Sequence, residues 1–106
     1  MALAAKASGN KPLRVGVIGA GVMGSNHARV FGGLPDVTLV GIADPLDAHR
    51  DRATNLIGCR TFKTYEDMLS EGVDAVTIAA PTHLHHEIAL TCIARGISAN
   101  PSARAS

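Results

Sequence analysis

The residues of this chain that most clearly indicate a binding site are three glycines, Gly19, Gly21 and Gly24, in the spacing G-x-G-x-x-G. They directly follow the apolar segment VGVI, which is typical of a buried strand, and they directly precede a helical pattern. In such a turn the first glycine permits a sharp bend, the second leaves the backbone open to close approach, and the third lets the helix pack on the sheet. The spacing therefore predicts a helix N-terminus whose N–H groups can bind an anionic group.

An acidic residue at the end of the second predicted strand strengthens this interpretation. The segment Val37–Ala43 is apolar, and Asp44 follows it directly. In dinucleotide-binding turns a carboxylate stands about twenty residues after the glycines, and Asp44 is at that distance. Such a carboxylate accepts hydrogen bonds from the hydroxyls of an adenosine ribose, so a dinucleotide site is predicted. Because it would repel a 2′-phosphate, Asp44 favours NAD over NADP. The alternative is an ordinary strand-to-helix turn that binds no ligand.

The rest of the chain alternates between strand and helix patterns. Further strands are predicted at 59–63 and 73–80, and helices are predicted after the glycines, at 47–57, at 64–69 and from 84 onward. Thr64 and Asp67 form a predicted capping box, and Gly58 is a predicted helix C-cap. This alternation predicts an α/β fold with a doubly wound parallel sheet of order 3-2-1-4, a Rossmann fold that is incomplete at its C-terminal end. Residues 1–11 are expected to form a disordered leader, 12–98 the NAD-binding domain and 99–106 a disordered tail.

Three helices carry predicted packing faces. In the first helix the face comprises Met23, His27, Val30, Phe31 and Leu34; in the second, His49, Ala53, Leu56 and Ile57; in the last, Leu84, Ile88 and Cys92 with Ala89 and Ile93 beside them. His27 lies within the first of these faces, where a packed, hydrogen-bonded histidine is the expected role and a catalytic base is the alternative.

The composition argues against several classes of protein. The 106 residues carry a formal net charge of +1 and are 46% hydrophobic, with neither the basic excess of a nucleic-acid-binding protein nor a run long enough to span a membrane. The first ten residues lack the continuous apolar core of a secretory signal. Cys59 and Cys92 are too far apart for a metal or redox pair motif, and isolated thiols suit a cytoplasmic protein. The expected partners are therefore small molecules.

A second group of chemically capable side chains follows the fourth predicted strand, in the segment PTHLHHE from Pro81 to Glu87. Because the ends of the first and fourth strands face each other across the crevice of a Rossmann sheet, this segment is expected beside the nicotinamide half of a dinucleotide. A metal site is the alternative, since His83 has His86 and Glu87 at helical spacing. No metal ligand is assigned, because the cluster spans a strand end and a helix start and the cysteines supply no fourth ligand.

Together these motifs resemble the Gfo/Idh/MocA family of oxidoreductases over about Leu13 to Gly96. The resemblance rests on G-x-G-x-x-G-x-x-H at 19–27, on Ala43-Asp44-Pro45, on YEDML at 65–69 and on P-T-x-x-H at 81–85. The segments GVMGSNHARV and PTHLHHEIA are most similar to members that act on UDP-N-acetylglucosamine and related sugars. The resemblance implies hydride transfer between NAD and a hydroxyl carbon of a sugar, nucleotide-sugar or cyclitol. The cofactor-binding residues that the motifs indicate are Gly19, Ala20, Gly21, Val22, Met23, Gly24, Asp44, Ala80, Pro81, Thr82 and His85.

The chain departs from the family pattern after Gly96. In the family a fifth strand leads into Glu-Lys-Pro, whose lysine assists proton transfer, and a C-terminal substrate domain follows. Here residues 97–106 read ISANPSARAS, and the lysines of the chain are Lys6, Lys11 and Lys63. The chain is therefore expected to be a truncated or frame-shifted product that has no catalytic residue and that binds NAD without transferring hydride.

A non-catalytic nucleotide-binding or assembly module is the alternative function. Rossmann folds serve many functions, and the fold alone does not choose among them. Without a fifth strand, 73–80 would be an exposed apolar edge that pairs with another chain, which predicts a homo-oligomer.

Overall fold

The computed structural model describes residues 12–101, and the predicted leader at 1–11 and residues 102–106 lie outside the described part. The strands are β1 (Leu13–Ile18), β2 (Val37–Ala43), β3 (Thr61–Phe62), β4 (Ala75–Ile78) and β5 (Ser98–Pro101). The helices are α1 (Val22–Gly32), α2 (Asp47–Ile57), α3 (Tyr65–Leu69) and α4 (His85–Ala94), the last preceded by a 3-10 turn at Thr82–Leu84.

The sheet is parallel throughout, with the order β3-β2-β1-β4-β5. Helices α1 and α2 pack on one face over a core that includes Val15, Val17 and Ile42. Helices α3 and α4 cover the other face, where Val76 and Ile78 belong to the core. This arrangement confirms the predicted doubly wound Rossmann fold and its order 3-2-1-4, and it adds one strand.

The fifth strand corrects the expectation of a sheet that stops at β4. Ser98 lies opposite Ala75 and Pro101 lies opposite Ile78, so β5 pairs with β4 along its whole length. Residues 99–101 therefore belong to the sheet and not to a tail, and β4 is an inner strand rather than an exposed edge. The sequence does not indicate this strand because Ala, Asn and Pro have low intrinsic strand propensity, whereas pairing with a buried neighbour decides the conformation here.

The packing face of α1 also differs from the prediction. The buried residues of this helix are Gly24, Ala28 and Phe31. Val30 and Leu34, which were expected to face the sheet, are 46% and 42% exposed. Phe31 is buried as predicted, but the other two buried residues are small because the helix lies close to the strands.

In α2 and α4 the predicted faces are correct only in part. Ala53 is fully buried, but Leu56 is 69% exposed. Ile88 and Cys92 are buried as predicted, whereas Ile93 is 65% exposed. The exposed residues lie at the edges of their predicted faces, where the sheet does not reach them.

Local signals at helix ends were reliable. Thr64 Oγ1 accepts a hydrogen bond of 3.2 Å from the backbone N–H of Asp67, as the predicted capping box requires. Gly58 ends α2 in the left-handed conformation with φ of +76°. Within residues 12–101 no helix is long and apolar enough to cross a membrane.

Candidate functional site

The site is built on the turn between β1 and α1, where Gly19 has a φ of +107°. A Cβ at Gly19 would lie 2.8 Å from the carbonyl carbon of Ala79, so both conformation and space require glycine here. The N–H of Gly19 donates a 2.7 Å hydrogen bond to the carbonyl oxygen of Ala43, which ties the turn to the end of β2. The turn is thus held between β2 and β4.

The other two glycines have opposite surroundings. A Cβ at Gly24 would lie 1.7 Å from the carbonyl oxygen of Gly19, so any side chain would push α1 away from the turn. A Cβ at Gly21 would have no described heavy atom within 4 Å, because this residue faces an open cleft. Gly24 therefore allows close packing, and Gly21 leaves the backbone accessible from the cleft.

The N-terminus of α1 begins beside this open position. Among the described residues no side chain caps it, and its first turn, from Val22, contains no acidic residue. Such a helix end carries partial positive charge and is suited to an anionic group in the cleft.

Asp44 lies next to the turn and is 8% exposed. Its Oδ2 accepts a 2.9 Å hydrogen bond from the N–H of Ala20, and its Oδ1 accepts one of 2.9 Å from the N–H of Leu46. Nδ1 of His49 lies 3.0 Å from the same Oδ2. Arg50 donates to the backbone carbonyl of Asp44 at 2.7 Å, so the loop after β2 is fixed at several points.

The environment of Asp44 keeps its side chain ionised. Burial by itself would raise the pKa of this carboxyl group, but the N–H groups of Ala20 and Leu46 and the side chain of His49 act in the opposite direction. The balance leaves the pKa of Asp44 below its ordinary value. An ionised carboxylate at the edge of the cleft is a strong acceptor for ribose hydroxyls.

The end of β4 forms the opposite wall. The N–H of Ala79 donates to the carbonyl of Ile18 at 2.7 Å, and Nε2 of His85 lies 2.6 Å from the carbonyl oxygen of Ala80. His85 therefore contacts the strand end and holds the segment that contains Pro81 and Thr82 against it. Both of these residues are exposed.

These walls enclose a cleft of about 630 Å³ at the carboxyl end of the strands. Of the predicted site residues, five line it: Gly19, Gly21, Asp44, Ala80 and Pro81. The other six are not part of the lining: Ala20 lies in the glycine turn, Val22, Met23 and Gly24 begin α1, Thr82 lies in the 3-10 turn and His85 begins α4. Lining residues that were not predicted include Leu46, His49, Lys63, Thr64, Tyr65, Glu66, Leu84 and Glu87.

Several of these unpredicted residues could have been found from topology. Lys63 to Glu66 follow β3, and the carboxyl ends of parallel strands meet at one edge of a sheet. His49 carries no such signal, because its position in the first turns of α2 becomes relevant only when Asp44 is placed beside it. Within residues 12–101 the His, Cys, Asp and Glu side chains form no group of three that could hold a metal ion.

The chain is similar in sequence to known dehydrogenases. An inositol 2-dehydrogenase from Saccharopolyspora erythraea is 38% identical over 94 residues, which cover 83% of this chain and 27% of that protein. A UDP-N-acetylglucosamine 3-dehydrogenase from Acidithiobacillus ferrooxidans is 32% identical over 88 residues, covering 80% of this chain and 26% of the relative. The chain thus spans about a quarter of the length of these relatives.

Solved structures share the same architecture. The WlbA dehydrogenase from Bordetella pertussis, in complex with NADH and UDP-GlcNAcA, matches with a TM-score of 0.76 and 29% identity over 86% of this chain and 28% of that one. GenD2 from gentamicin A biosynthesis, in complex with NAD, matches with a TM-score of 0.79 and 29% identity over 94% of this chain and 29% of that one.

The family assignment follows from the match of residues 13–99 to the profile described as the oxidoreductase family with an NAD-binding Rossmann fold. This range contains the glycine turn, Asp44 and the Pro81–His85 segment. The chain belongs to the Gfo/Idh/MocA oxidoreductase family.

Proposed function

We propose that this chain is the NAD-binding domain of an oxidoreductase that transfers hydride between the nicotinamide and a hydroxyl carbon of a sugar, nucleotide-sugar or cyclitol. One observation carries the proposal. The N–H of Ala20, in the glycine turn, donates a 2.9 Å hydrogen bond to the carboxylate of Asp44, and this bond lies at the rim of an open cleft. A volume of about 630 Å³ lies within the range of about 300 to 1,000 Å³ that small-molecule sites occupy.

Three parts of the dinucleotide are assigned to regions of the cleft in this proposal. The diphosphate is assigned to the open backbone at Gly21 and the N-terminus of α1, and the adenosine ribose to the Asp44 carboxylate. The nicotinamide is assigned to the end of β4, beside Ala80 and Pro81. The proposed cofactor-binding residues are Gly19, Ala20, Gly21, Val22, Met23, Gly24, Asp44, Ala80, Pro81, Thr82 and His85.

The preference for NAD rests on charge. Asp44 is ionised because its pKa lies below the ordinary value, so it accepts from both ribose hydroxyls and repels a 2′-phosphate. A hydrogen bond to a charged group contributes about 1.5 to 3 kcal/mol, which corresponds to a preference of at least about tenfold.

The proposed division of labour leaves catalysis outside these 106 residues. Bound nicotinamide supplies hydride transfer, whereas the residues of this chain bind and orient the cofactor. The lysines of these 106 residues are Lys6, Lys11 and Lys63, so the lysine that the family resemblance implies has no counterpart among them. We therefore expect the chain by itself to bind NAD through the domain at 12–101, which includes β5, and to be catalytically silent.

The substrate class and assembly of the longer protein are proposals drawn from its relatives. Inositol 2-dehydrogenases and a UDP-N-acetylglucosamine 3-dehydrogenase both act on hydroxyl-bearing rings, and we propose a ring of this kind as the substrate.

The alternative function, an assembly module, was based on an exposed edge at β4, and this edge is paired with β5. Homo-oligomer formation stays a prediction that light scattering can check, and a cytoplasmic location remains our expectation from the two free thiols, Cys59 and Cys92.

A thermal-melt titration of the chain with NAD, NADP and S-adenosylmethionine tests the proposed function. A ligand that binds only the folded state stabilises it by about 2.7 kcal/mol at a hundredfold excess over its dissociation constant. We expect a rise in Tm with NAD, a smaller rise with NADP and none with S-adenosylmethionine. A cooperative melt that NAD leaves unchanged would contradict the proposal.

A further inference from the structure

His49 contacts the carboxylate that the proposed function assigns to the adenosine ribose. Its Nδ1 lies 3.0 Å from Oδ2 of Asp44, its side chain is 35% exposed, and it lines the cleft. Resting on the proposed function, we infer that His49 sets the choice between NAD and NADP in a proton-dependent manner: neutral His49 supports NAD selection, and protonated His49 weakens it.

The hydrogen bonds of Asp44 explain why His49 and the ribose act on the same atoms. A carboxylate offers about four acceptor positions, two on each oxygen. On Oδ2 the N–H of Ala20 takes one and His49 takes the other, and on Oδ1 the N–H of Leu46 takes one. A ribose that presents two hydroxyls needs two positions, so it must take the place of His49 on Oδ2.

The charge of His49 decides how readily this exchange occurs. A neutral imidazole holds Asp44 by one hydrogen bond and leaves the full negative charge of the carboxylate to repel a 2′-phosphate. An imidazolium pairs with the carboxylate and resists displacement by ribose, which weakens NAD binding. It also offsets the negative charge and presents a second N–H donor, which favours the 2′-phosphate of NADP. Histidine is the side chain that most readily changes charge near neutral pH, so discrimination against NADP should decrease as the pH is lowered.

Other charged groups lie on α2, on the elements packed against it and on the cleft wall. On α2 they are Asp47, Arg50, Asp51 and Arg52. From the neighbouring elements they are His27 and Arg29 of α1, Arg60 and Lys63 beside β3, and Glu66 and Glu87 on the cleft wall. Arg50 is engaged by the carbonyl of Asp44 and by Asp47, and Arg52 donates to the carbonyl of Ala20 at 3.3 Å.

Burial holds the pKa of His27 below its ordinary value, so this second histidine gains a proton later than an ordinary imidazole would as the pH is lowered from about 8 to about 5.5. Asp44 itself stays ionised throughout.

The test is isothermal titration calorimetry of the full chain with NAD and with NADP, from about pH 8 to about pH 5.5. The matched control is His49→Asn, which keeps an N–H donor near the position of Nδ1 but does not titrate. His49→Gln serves as a second non-titrating variant. The 2′-phosphate of free NADP also titrates near pH 6, and because the titration of the unbound ligand is common to all three proteins, the comparison removes it.

We expect the ratio of the NADP to the NAD dissociation constant to fall by about fivefold more in the original chain than in either variant as the pH is lowered, the factor that a partly exposed ion pair supplies. Equal pH dependence in all three proteins would overturn the role of His49 while leaving NAD binding intact. Absence of NAD binding by the original chain at every pH would instead overturn the proposed function, and the inference with it.

Discussion

The carboxylate of Asp44 accepts a 2.9 Å hydrogen bond from the backbone N–H of Ala20, which lies 24 residues earlier in the chain. This bond joins the end of β2 to the glycine turn that opens α1. Asp44 thus has two roles in one position: it fixes the shape of the turn and it faces the cleft. Variants of this residue should therefore change both stability and cofactor affinity.

Gly24 and Gly21 form a matched pair because their surroundings are opposite. Gly24→Ala would place a Cβ 1.7 Å from the carbonyl oxygen of Gly19, so we expect a loss of about 1 to 3 kcal/mol in the free energy of unfolding. Gly21→Ala has open space, and we expect a loss of less than about 1 kcal/mol. Urea denaturation measures both values. Equal destabilisation by the two substitutions would contradict the geometry of the turn.

The same pair separates folding from binding. The methyl group of Gly21→Ala would stand where the diphosphate approaches the backbone, so NAD affinity should fall by about tenfold or more although the fold is retained. Calorimetric titration of the folded variant measures this change. An unchanged dissociation constant would show that the diphosphate does not bind at Gly21.

Asp44→Asn should destabilise the chain in a pH-dependent manner. The pKa of Asp44 is depressed in the folded state, so its contribution is present above the unfolded value of about 3.9 and is lost as the pH falls through the folded value. At neutral pH we expect a loss of about 1 to 3 kcal/mol, because the N–H groups of Ala20 and Leu46 lose a charged acceptor. The difference from the original chain should shrink below about pH 4.

Chemical denaturation at several pH values measures this difference, with Asp51→Asn, at an exposed position on α2, as the control. A loss of stability that is the same at all pH values would argue against an ionised Asp44 in the folded chain.

The two thiols should differ in reactivity. Burial raises the pKa of both Cys59 and Cys92, but Cys92 is 0% exposed whereas Cys59 is only partly buried. With a disulfide reagent at neutral pH we expect one thiol to react slowly in the native chain and the second only after unfolding. Cys59→Ser should remove the native-state reaction, and rapid modification of that variant would place Cys92 outside the core.

Met68 tests the core between β1 and α3. It is fully buried and fills the space at Gly16, where a Cβ would lie 2.6 Å from its Cε. Met68→Ala should cost about 2 to 5 kcal/mol of unfolding free energy, because it leaves a cavity. Leu56→Ala, at a residue 69% exposed, should change stability by less than about 0.5 kcal/mol. A larger effect at Leu56 than at Met68 would contradict the observed packing.

Some elements could be predicted from sequence because local signals and tertiary packing agree. The predicted bounds of β2 and α2 match the observed Val37–Ala43 and Asp47–Ile57. β2 is an apolar run with clear ends, and α2 ends at Gly58, a residue suited to its left-handed conformation. The glycine turn was predictable for the same reason, since each glycine is required by a local steric contact or by access to the cleft.

Features that depend on distant neighbours could not be predicted in this way. β5 forms because it can pair with β4, whereas the residues of β5 do not by themselves indicate a strand. Two of the three buried residues of α1, Gly24 and Ala28, are small, and small residues carry little hydrophobic signal even though they permit the closest packing. The role of His49 depends on the loop that places Asp44 3.0 Å from it.

The most direct test of the central claim is an amide chemical-shift titration of the isotopically labelled chain with NAD. If the glycine turn and Asp44 form the dinucleotide site, the largest and saturable shifts will fall on the amides of Gly19 to Gly24 and of Asp44 and Leu46, with a second group at Ala79 to Thr82. Saturable shifts confined to other parts of the sheet, or no shifts in a folded chain, would contradict the proposed site.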